Sequence, residues 1–344
     1  MIAINFTCRL FSIVSCRDRF PLALLTKIKR ELIRYQTGII NVEKHQLISY
    51  INGGLPIRQN SVVAFCPGHI SGYFKKIVGS TSLTTGSIGA GIVITKGVTA
   101  TVRHAETPTI IIRQRAVDGT ISTISRSSPP LTSIMERLGV TASITTECHL
   151  PIGAGFGLSA AALLASATAL NRLFTLGLTP WDIARHSHEI EVEHRTGLGD
   201  VAAAQGGGRV IRHGPGIDAR IERIFDLPEP LYSVSFGPIH TPTVLGSQSQ
   251  MEKVSSAFPS ASPGDARDFF TKSKQFAERS GLITDSVKKV FCLCEQENVP
   301  AGMTMLGDGV FAYGKKAREV LSPFEQVYEF QVSPTGPRIV EDMV

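Results

Sequence analysis

From Ser61 onward, apolar and polar positions fall into strand-like and helix-like periods punctuated by glycine and proline. The stretch SVVAFCPGHISGYF (61–74) reads as a strand running into a Pro67-Gly68 turn. GSIGAGIVITKGVTATV (86–102) reads as a glycine-rich loop feeding β-branched alternation, with a turn at Lys96-Gly97. ITTECHL (144–150) is a further strand, and the run ALLASATALNRLF after it is a long helix closed by Gly177. Thr179-Pro180-Trp181-Asp182 opens a second helix with threonine as N-cap, proline in first position and an acid three residues after the cap. That helix runs to about Arg195, ahead of Gly197. From about Leu227, the strand-like pieces LYSVSFG, GVFAYG and YEFQVS alternate with helical residues 265–280 and 284–297. The pattern predicts an α+β fold: residues 61–226 as one domain, residues 227–344 as a smaller second one, and residues 1–60 as an extension.

Charge changes the picture only at the N-terminus. The chain of 344 residues carries a net +6, but residues 1–60 hold 9 Lys/Arg against 3 Asp/Glu, and the remainder holds 26 of each sign. The body therefore lacks the basic footprint that phosphate-backbone binding needs, which argues against a nucleic-acid partner. Within the extension, LALLTKIKRELIRYQ (22–36) has a basic helical look and NGGLPIRQN (52–60) reads as a linker. Three readings stay open: a peripheral-membrane or partner helix, a poorly packed appendage, or a start of translation near Val62. No run approaches the ~20 apolar residues of a membrane span, and Arg9, Arg17, Asp18 and Arg19 interrupt the apolar patches of the first thirty residues. The expected location is the cytoplasm. The six cysteines (8, 16, 66, 148, 292, 294) are scattered, and Cys292-Leu-Cys294 has no second pair to complete a zinc site.

The chemistry starts at LPIGAGFGLSAAA (150–162), where glycines separate a strand from small helix formers. That order places bare backbone N–H groups at a helix N-terminus, a geometry that binds anions. The P-loop pattern is excluded because no lysine follows these glycines, and the dinucleotide fingerprint fits poorly because Gly153, Gly155 and Gly157 alternate. The pattern P-x-x-x-G-x-G-x-S-x-A is met by Pro151, Gly155, Gly157, Ser159 and Ala161, and it resembles the second motif of the GHMP kinases. The alternative is a tight strand–helix turn with small residues for packing. The resemblance implies ATP held by Pro151, Gly153, Gly155, Gly157, Leu158, Ser159, Ala160 and Ala161.

Two acids extend the match. Helix HSHEIEVEH leads into RTGLGDVAAAQGGG, where Gly197 and Gly199 are expected to hold Asp200 on a short exposed loop as the base. The resemblance also implies a helix acid on Mg²⁺. Helical spacing sets Ile183, Ser187, Ile190 and His194 on an inward stripe, with Ala184, His188, Glu191 and Arg195 beside it. Glu191 is thereby the better ligand than Glu189 or Glu193, with the Ser159 hydroxyl as a second contact.

FCPGHISGYF, GSIGAGIVITKGVTATV, HEIEVEHRTGLGDVAA and GGGRVIRHGPG together resemble the archaeal pantoate kinases, a branch of the GHMP superfamily, from about residue 61 to the C-terminus. The resemblance implies ATP-dependent phosphorylation of the primary hydroxyl of (R)-pantoate. It also implies a domain like ribosomal protein S5 domain 2, a ferredoxin-like C-terminal domain, and a homodimer. The pantoate carboxylate calls for a cationic fork, assigned to Arg212 with Arg209 as fallback. His188, one turn before Glu191, is placed on pantoate, as are Ser87 in the GSIGAG loop and Thr241 in GPIHTPTVL. His69 is expected to shape the site without an assigned role. The third GHMP motif survives only loosely in AGMTMLGDGVFAYG (301–314), where Met303–Gly307 is placed over the site with no catalytic residue. The rivals are another small-alcohol GHMP kinase, acting on shikimate or homoserine, and a catalytically silent nucleotide-binding regulator.

Overall fold

Two long strands carry the architecture. β1 (Ser61–Ile77) and β2 (Gly86–His104) pair antiparallel along their whole length, from Ser61 opposite Arg103 to Ile77 opposite Gly86. The computed structural model describes residues 61–343 except His240 and the side chain of Pro242, so the readings made for residues 1–60 lie outside the described residues. The turns expected at Pro67-Gly68 and Lys96-Gly97 are absent: both strands run through, and the register shifts at Pro67/Gly68 and again at Ser71/Tyr73. A bulge uses the same residues as a turn but bends a strand instead of ending it. Crowding fixes the glycine here, since a Cβ on Gly97 would strike the Cys66 carbonyl oxygen. The GSIGAG segment is likewise the start of β2, not a loop.

Besides β1, β2 and the final strand of the chain, the first sheet holds β3 (Thr109–Arg115), β4 (Ile121–Ser125), β5 (Ala142–Cys148), β6 (Arg209–Arg212) and β7 (Ile221–Ile224). Along the edge away from β1, β2 is long enough to serve two further partners. Its C-terminal half pairs β5, while Gly89–Ile92 pairs β6, which brings Arg212 opposite Gly89. Helices α1 (Pro129–Leu138), α2 (Leu158–Phe174), α3 (Pro180–His194) and the short α4 (Asp200–Ala204) belong to this half. α2 packs on β1 and β2, burying Ala160, Ala161, Ala165, Ala167 and Ala169. Small side chains there let the helix lie close to the sheet.

The second sheet is antiparallel, in the order β11 (Val327–Phe330), β8 (Leu231–Pro238), β10 (Gly307–Tyr313), β9 (Ala301–Met303). Around it lie α5 (Thr241–Gly246), α6 (Gln248–Ala257), α7 (Ala266–Ser280), α8 (Asp285–Gln296) and α9 (Lys315–Leu321). α7 and α8 match the helices expected at 265–280 and 284–297 to within a residue. Tyr73 of β1 meets Phe258, Phe269 and Phe276 edge-on or tilted, so one aromatic cluster ties the first sheet to α7 and to the loop after α6. The final strand β12 (Arg338–Asp342) returns to pair with β1, Val62 opposite Asp342. The described residues lie in one compact unit containing both sheets. Among the described residues no helix is long and apolar enough to cross a membrane.

Candidate active site

The glycine loop bends as its composition demands. Gly153, Gly155 and Gly157 all sit at positive φ (78°, 81° and 61°), the left-handed region that penalises a side chain. A Cβ on Gly155 would lie 2.8 Å from the carbonyl oxygens of both Thr304 and Met305, so the 304–307 turn is packed directly against the loop. The weak third motif is therefore the wall behind the second. Gly157 is the N-cap of α2 and provides no side-chain cap, and the first turn holds no acid. Every other described helix of ten residues or more is capped by a Ser, Thr or Asp side chain. The N–H groups of Leu158, Ser159 and Ala160 thus have no intrahelical partner and no capping group. Ala161 differs from the expectation: its N–H already donates to the Gly157 carbonyl and its side chain is buried, so it packs the helix and offers no amide. Pro151 and Gly153 form the outer arm, where Ile239 N–H donates to the Gly153 carbonyl at 3.1 Å.

Asp200 stands at the mouth of this cradle. A Cβ on Gly157 would lie 3.2 Å from Asp200 Oδ1. The residue is the first of α4 and half-buried, not held on an exposed loop as expected, because the chain turns straight into a helix after Gly199. His69 Nδ1 lies 2.7 Å from Asp200 Oδ1, and Arg212 Nη1 lies 3.3 Å from His69 Nε2. Arg212 Nη2 donates to Ser87 Oγ at 3.4 Å, while its Nε is buried without a partner. Four residues from four separate segments thereby form one chain, Asp200–His69–Arg212–Ser87. A guanidinium only donates, so His69 Nε2 accepts and the ring proton sits on Nδ1, donated to Asp200.

The second acid converges on the same place. Glu191 is fully buried, accepts from Thr196 Oγ1 at 3.0 Å, and is hydrogen-bonded to Ser159. A Cβ on Gly197 would strike Glu191 Oε2 and lie 3.2 Å from Asp200 Oδ2, so both carboxylates border one bare glycine. Burial, reinforced by the Asp200 charge, pushes the Glu191 carboxyl up to about 8, against the hydrogen bonds from Ser159 and Thr196. Burial also raises Asp200, but the His69 hydrogen bond and the Arg212 guanidinium outweigh it and leave Asp200 below the usual carboxylate range. Burial pulls the His69 imidazole down, which favours the neutral ring.

The other expected residues divide. His188 is buried and its Nε2–H donates to the Thr85 carbonyl at 2.9 Å, leaving Nδ1 as a buried acceptor with no partner. Thr241 opens α5, half-buried and outside the hydrogen-bonded chain. Arg209, the fallback for the acceptor carboxylate, is held by Asp226 through Nε at 3.0 Å and Nη2 at 2.5 Å. Glu189 and Glu193 both bind Arg137 at the surface. Thr196 and the place of His69 in the chain were not foreseen. For His69 a signal existed in Gly91, where any Cβ would strike the imidazole, so the strand opposite leaves room for that ring.

Residues 128–208 match the family described as GHMP kinases N terminal domain. The pantoate kinase of Methanospirillum hungatei is 47% identical over 279 residues, spanning 81% of this chain and 96% of its own. The chain belongs to the pantoate kinase family of GHMP kinases. A second family member, the pantoate kinase of Methanocaldococcus jannaschii, is 30% identical over 263 residues, 73% of this chain and 92% of its own. A solved phosphotransferase related to the CoA biosynthesis pathway shares the fold with a TM-score of 0.69 at 24% identity, covering 81% of this chain and 98% of its own. The fold of this family member is thus the α+β GHMP kinase fold. The matched domain spans the glycine loop, α3 and Asp200, whereas His69, Ser87, Arg212 and Thr241 lie outside it.

Proposed function

We propose that the chain is an ATP-dependent kinase that phosphorylates the primary hydroxyl of (R)-pantoate, giving (R)-4-phosphopantoate for coenzyme A biosynthesis. Family membership supports the acceptor, and one observation carries the chemistry: a carboxylate beside an uncapped helix N-terminus, joined to a buried arginine with an unused donor. The loop amides and the first turn of α2 hold the phosphates. Arg212 and Ser87 bind the pantoate carboxylate, and the vacant acceptor on His188 together with Thr241 meets its hydroxyls. Asp200 takes the proton of the primary hydroxyl as its oxygen bonds to the γ-phosphorus and the bond to ADP breaks in line. Positioning and charge stabilisation do most of the work, because the transition state is loose.

Ser159 and Glu191 fit Mg²⁺. They bring a hydroxyl and a carboxylate into contact, and burial, then the Asp200 charge, pushes the Glu191 carboxyl up where no cation among the described residues lies beside it to offset the cost. Among the described residues no three His, Cys, Asp or Glu side chains cluster into a metal cage. That suits a cation that uses one or two carboxylates and leaves its other positions to phosphates and water. When bound, the ion would supply positive charge to offset the charge of the phosphates.

In this reading residues 61–226 carry the nucleotide, and residues 227–344 supply the 304–307 wall, with β12 as the segment that crosses back. The enzyme acts in the cytoplasm as a homodimer, which light scattering of the full chain checks. The decisive assay is ADP release from the full chain with pantoate, shikimate, homoserine and mevalonate. Turnover confined to pantoate is the expected result, and turnover of another acceptor in its place overturns the substrate assignment.

A further inference from the structure

We infer that His69 couples acceptor recognition to the base: it joins Arg212 to Asp200 through its two ring nitrogens, so that the acceptor's carboxylate and the Asp200 carboxylate are positioned as one unit. The inference rests on the proposed roles of Arg212 and Asp200. Its basis is the geometry of the chain. His69 is 1% exposed and Arg212 2% exposed, so the contacts between them are made away from bulk water. The backbone holds the histidine as well, with His69 N–H donating to the Phe156 carbonyl of the glycine loop at 3.0 Å. One residue thus touches the phosphate cradle through its backbone, and the base and the arginine through its ring.

Each contact has a consequence for the reaction. The 2.7 Å bond to Oδ1 occupies that oxygen and leaves Oδ2 for the incoming hydroxyl. The contacts from Arg212 to His69 and Ser87, at 3.3 and 3.4 Å, are long for N–H donors. A carboxylate arriving on the guanidinium supplies the partner that the buried Nε lacks and fixes the orientation of the group. Fixing Arg212 orients the imidazole through Nε2, and the imidazole orients Asp200. An alcohol lacking the carboxylate occupies the site without completing this alignment. The preference for a carboxylate-bearing acceptor is therefore expressed in turnover as well as in binding, a pattern that an arginine serving only as an anchor does not produce.

The test compares the full-length protein with His69→Leu, which removes both ring contacts, and His69→Gln, which keeps one donor and one acceptor. Acceptors are pantoate and 2,2-dimethylpropane-1,3-diol, which has the hydroxyls and gem-dimethyl group but no carboxylate. Expected for His69→Leu is a kcat on pantoate lower by roughly tenfold or more, an ATP KM within about twofold, and partial recovery in His69→Gln. The kcat ratio of pantoate to diol falls in His69→Leu, because the diol never engaged the coupling. Nitrogen-15 histidine spectra of the wild-type chain provide a second readout that needs no turnover. They are expected to show a neutral His69 with its proton on Nδ1, and saturation with pantoate is expected to shift the Nε2 signal. Equal losses on both acceptors, a proton on Nε2, or an Nε2 signal indifferent to bound pantoate overturns the coupling and leaves the kinase assignment standing. Failure of the wild-type chain to turn over pantoate overturns the assignment itself.

Discussion

α2 and α3 are successive helices of similar length, yet they begin in opposite ways. α3 fills its first turn with its own groups: Thr179 accepts from Asp182 N–H, Asp182 accepts from Thr179 N–H, and Pro180 has no N–H to satisfy. α2 begins on a left-handed glycine, with no side-chain cap and no acid. The first arrangement is a reciprocal cap made within the chain and serves stability. The second leaves donors and dipole directed at whatever lies beyond Gly157, where Asp200 waits. An unfinished helix start, where the other long helices among the described residues are capped, marks where a ligand completes the structure.

Variants at the two starts sharpen that contrast. The largest expected effect is from Asp200→Asn, which keeps the hydrogen-bonding shape but removes the proton acceptor. Its kcat falls by about a hundredfold or more with a modest change in ATP KM, and near-normal turnover in steady-state assays removes Asp200 from its role. Next is Gly155→Ala, whose methyl meets two carbonyl oxygens at 2.8 Å on a backbone that disfavours it. ATP KM rises by about tenfold or more, alongside a stability loss of roughly 1–3 kcal/mol in denaturant titrations. An unchanged ATP KM in a folded Gly155→Ala protein detaches the loop from the nucleotide.

Glu191→Gln gives a smaller, pH-dependent signature. The carboxyl has its ordinary value near 4.5 when unfolded and about 8 when folded, so the folded state binds the proton more tightly between these limits. Its contribution is complete below the lower value and is lost as pH rises through the upper one. The Tm of the wild-type protein without ligands therefore declines over that window relative to Glu191→Gln. Parallel profiles contradict the buried ionisation. The smallest effect belongs to Thr179→Ala, which costs about 1 kcal/mol of stability and leaves kcat and both KM values unchanged. A change in ATP KM there erases the distinction between the two helix starts.

The same contrast explains what was legible before the structure. α3 was readable because its cap is written in adjacent residues, and the buried face carrying His188 and Glu191 follows from helical spacing. The glycine loop was readable because positive φ demands glycine in sequence. β1 and β2 were misread at Pro67-Gly68 and Lys96-Gly97, since a bulge and a turn draw on the same residues and only the partner strand decides between them. The return of β12 to β1 is a pairing across nearly the whole described chain, from residues that are exposed and have no strong periodicity. His69 took its place from three strands and a helix start meeting, which no local pattern records, and Thr196 gave no signal of its own.

The most direct measurement is site-resolved NMR of backbone amides in the full chain, titrated with a non-hydrolysable ATP analogue and Mg²⁺. The account predicts large shifts for the N–H groups of Gly155, Gly157, Leu158, Ser159 and Ala160 and almost none for Asp182 and Ile183 at the capped start of α3. Saturable binding that leaves the five loop and first-turn amides unmoved contradicts it.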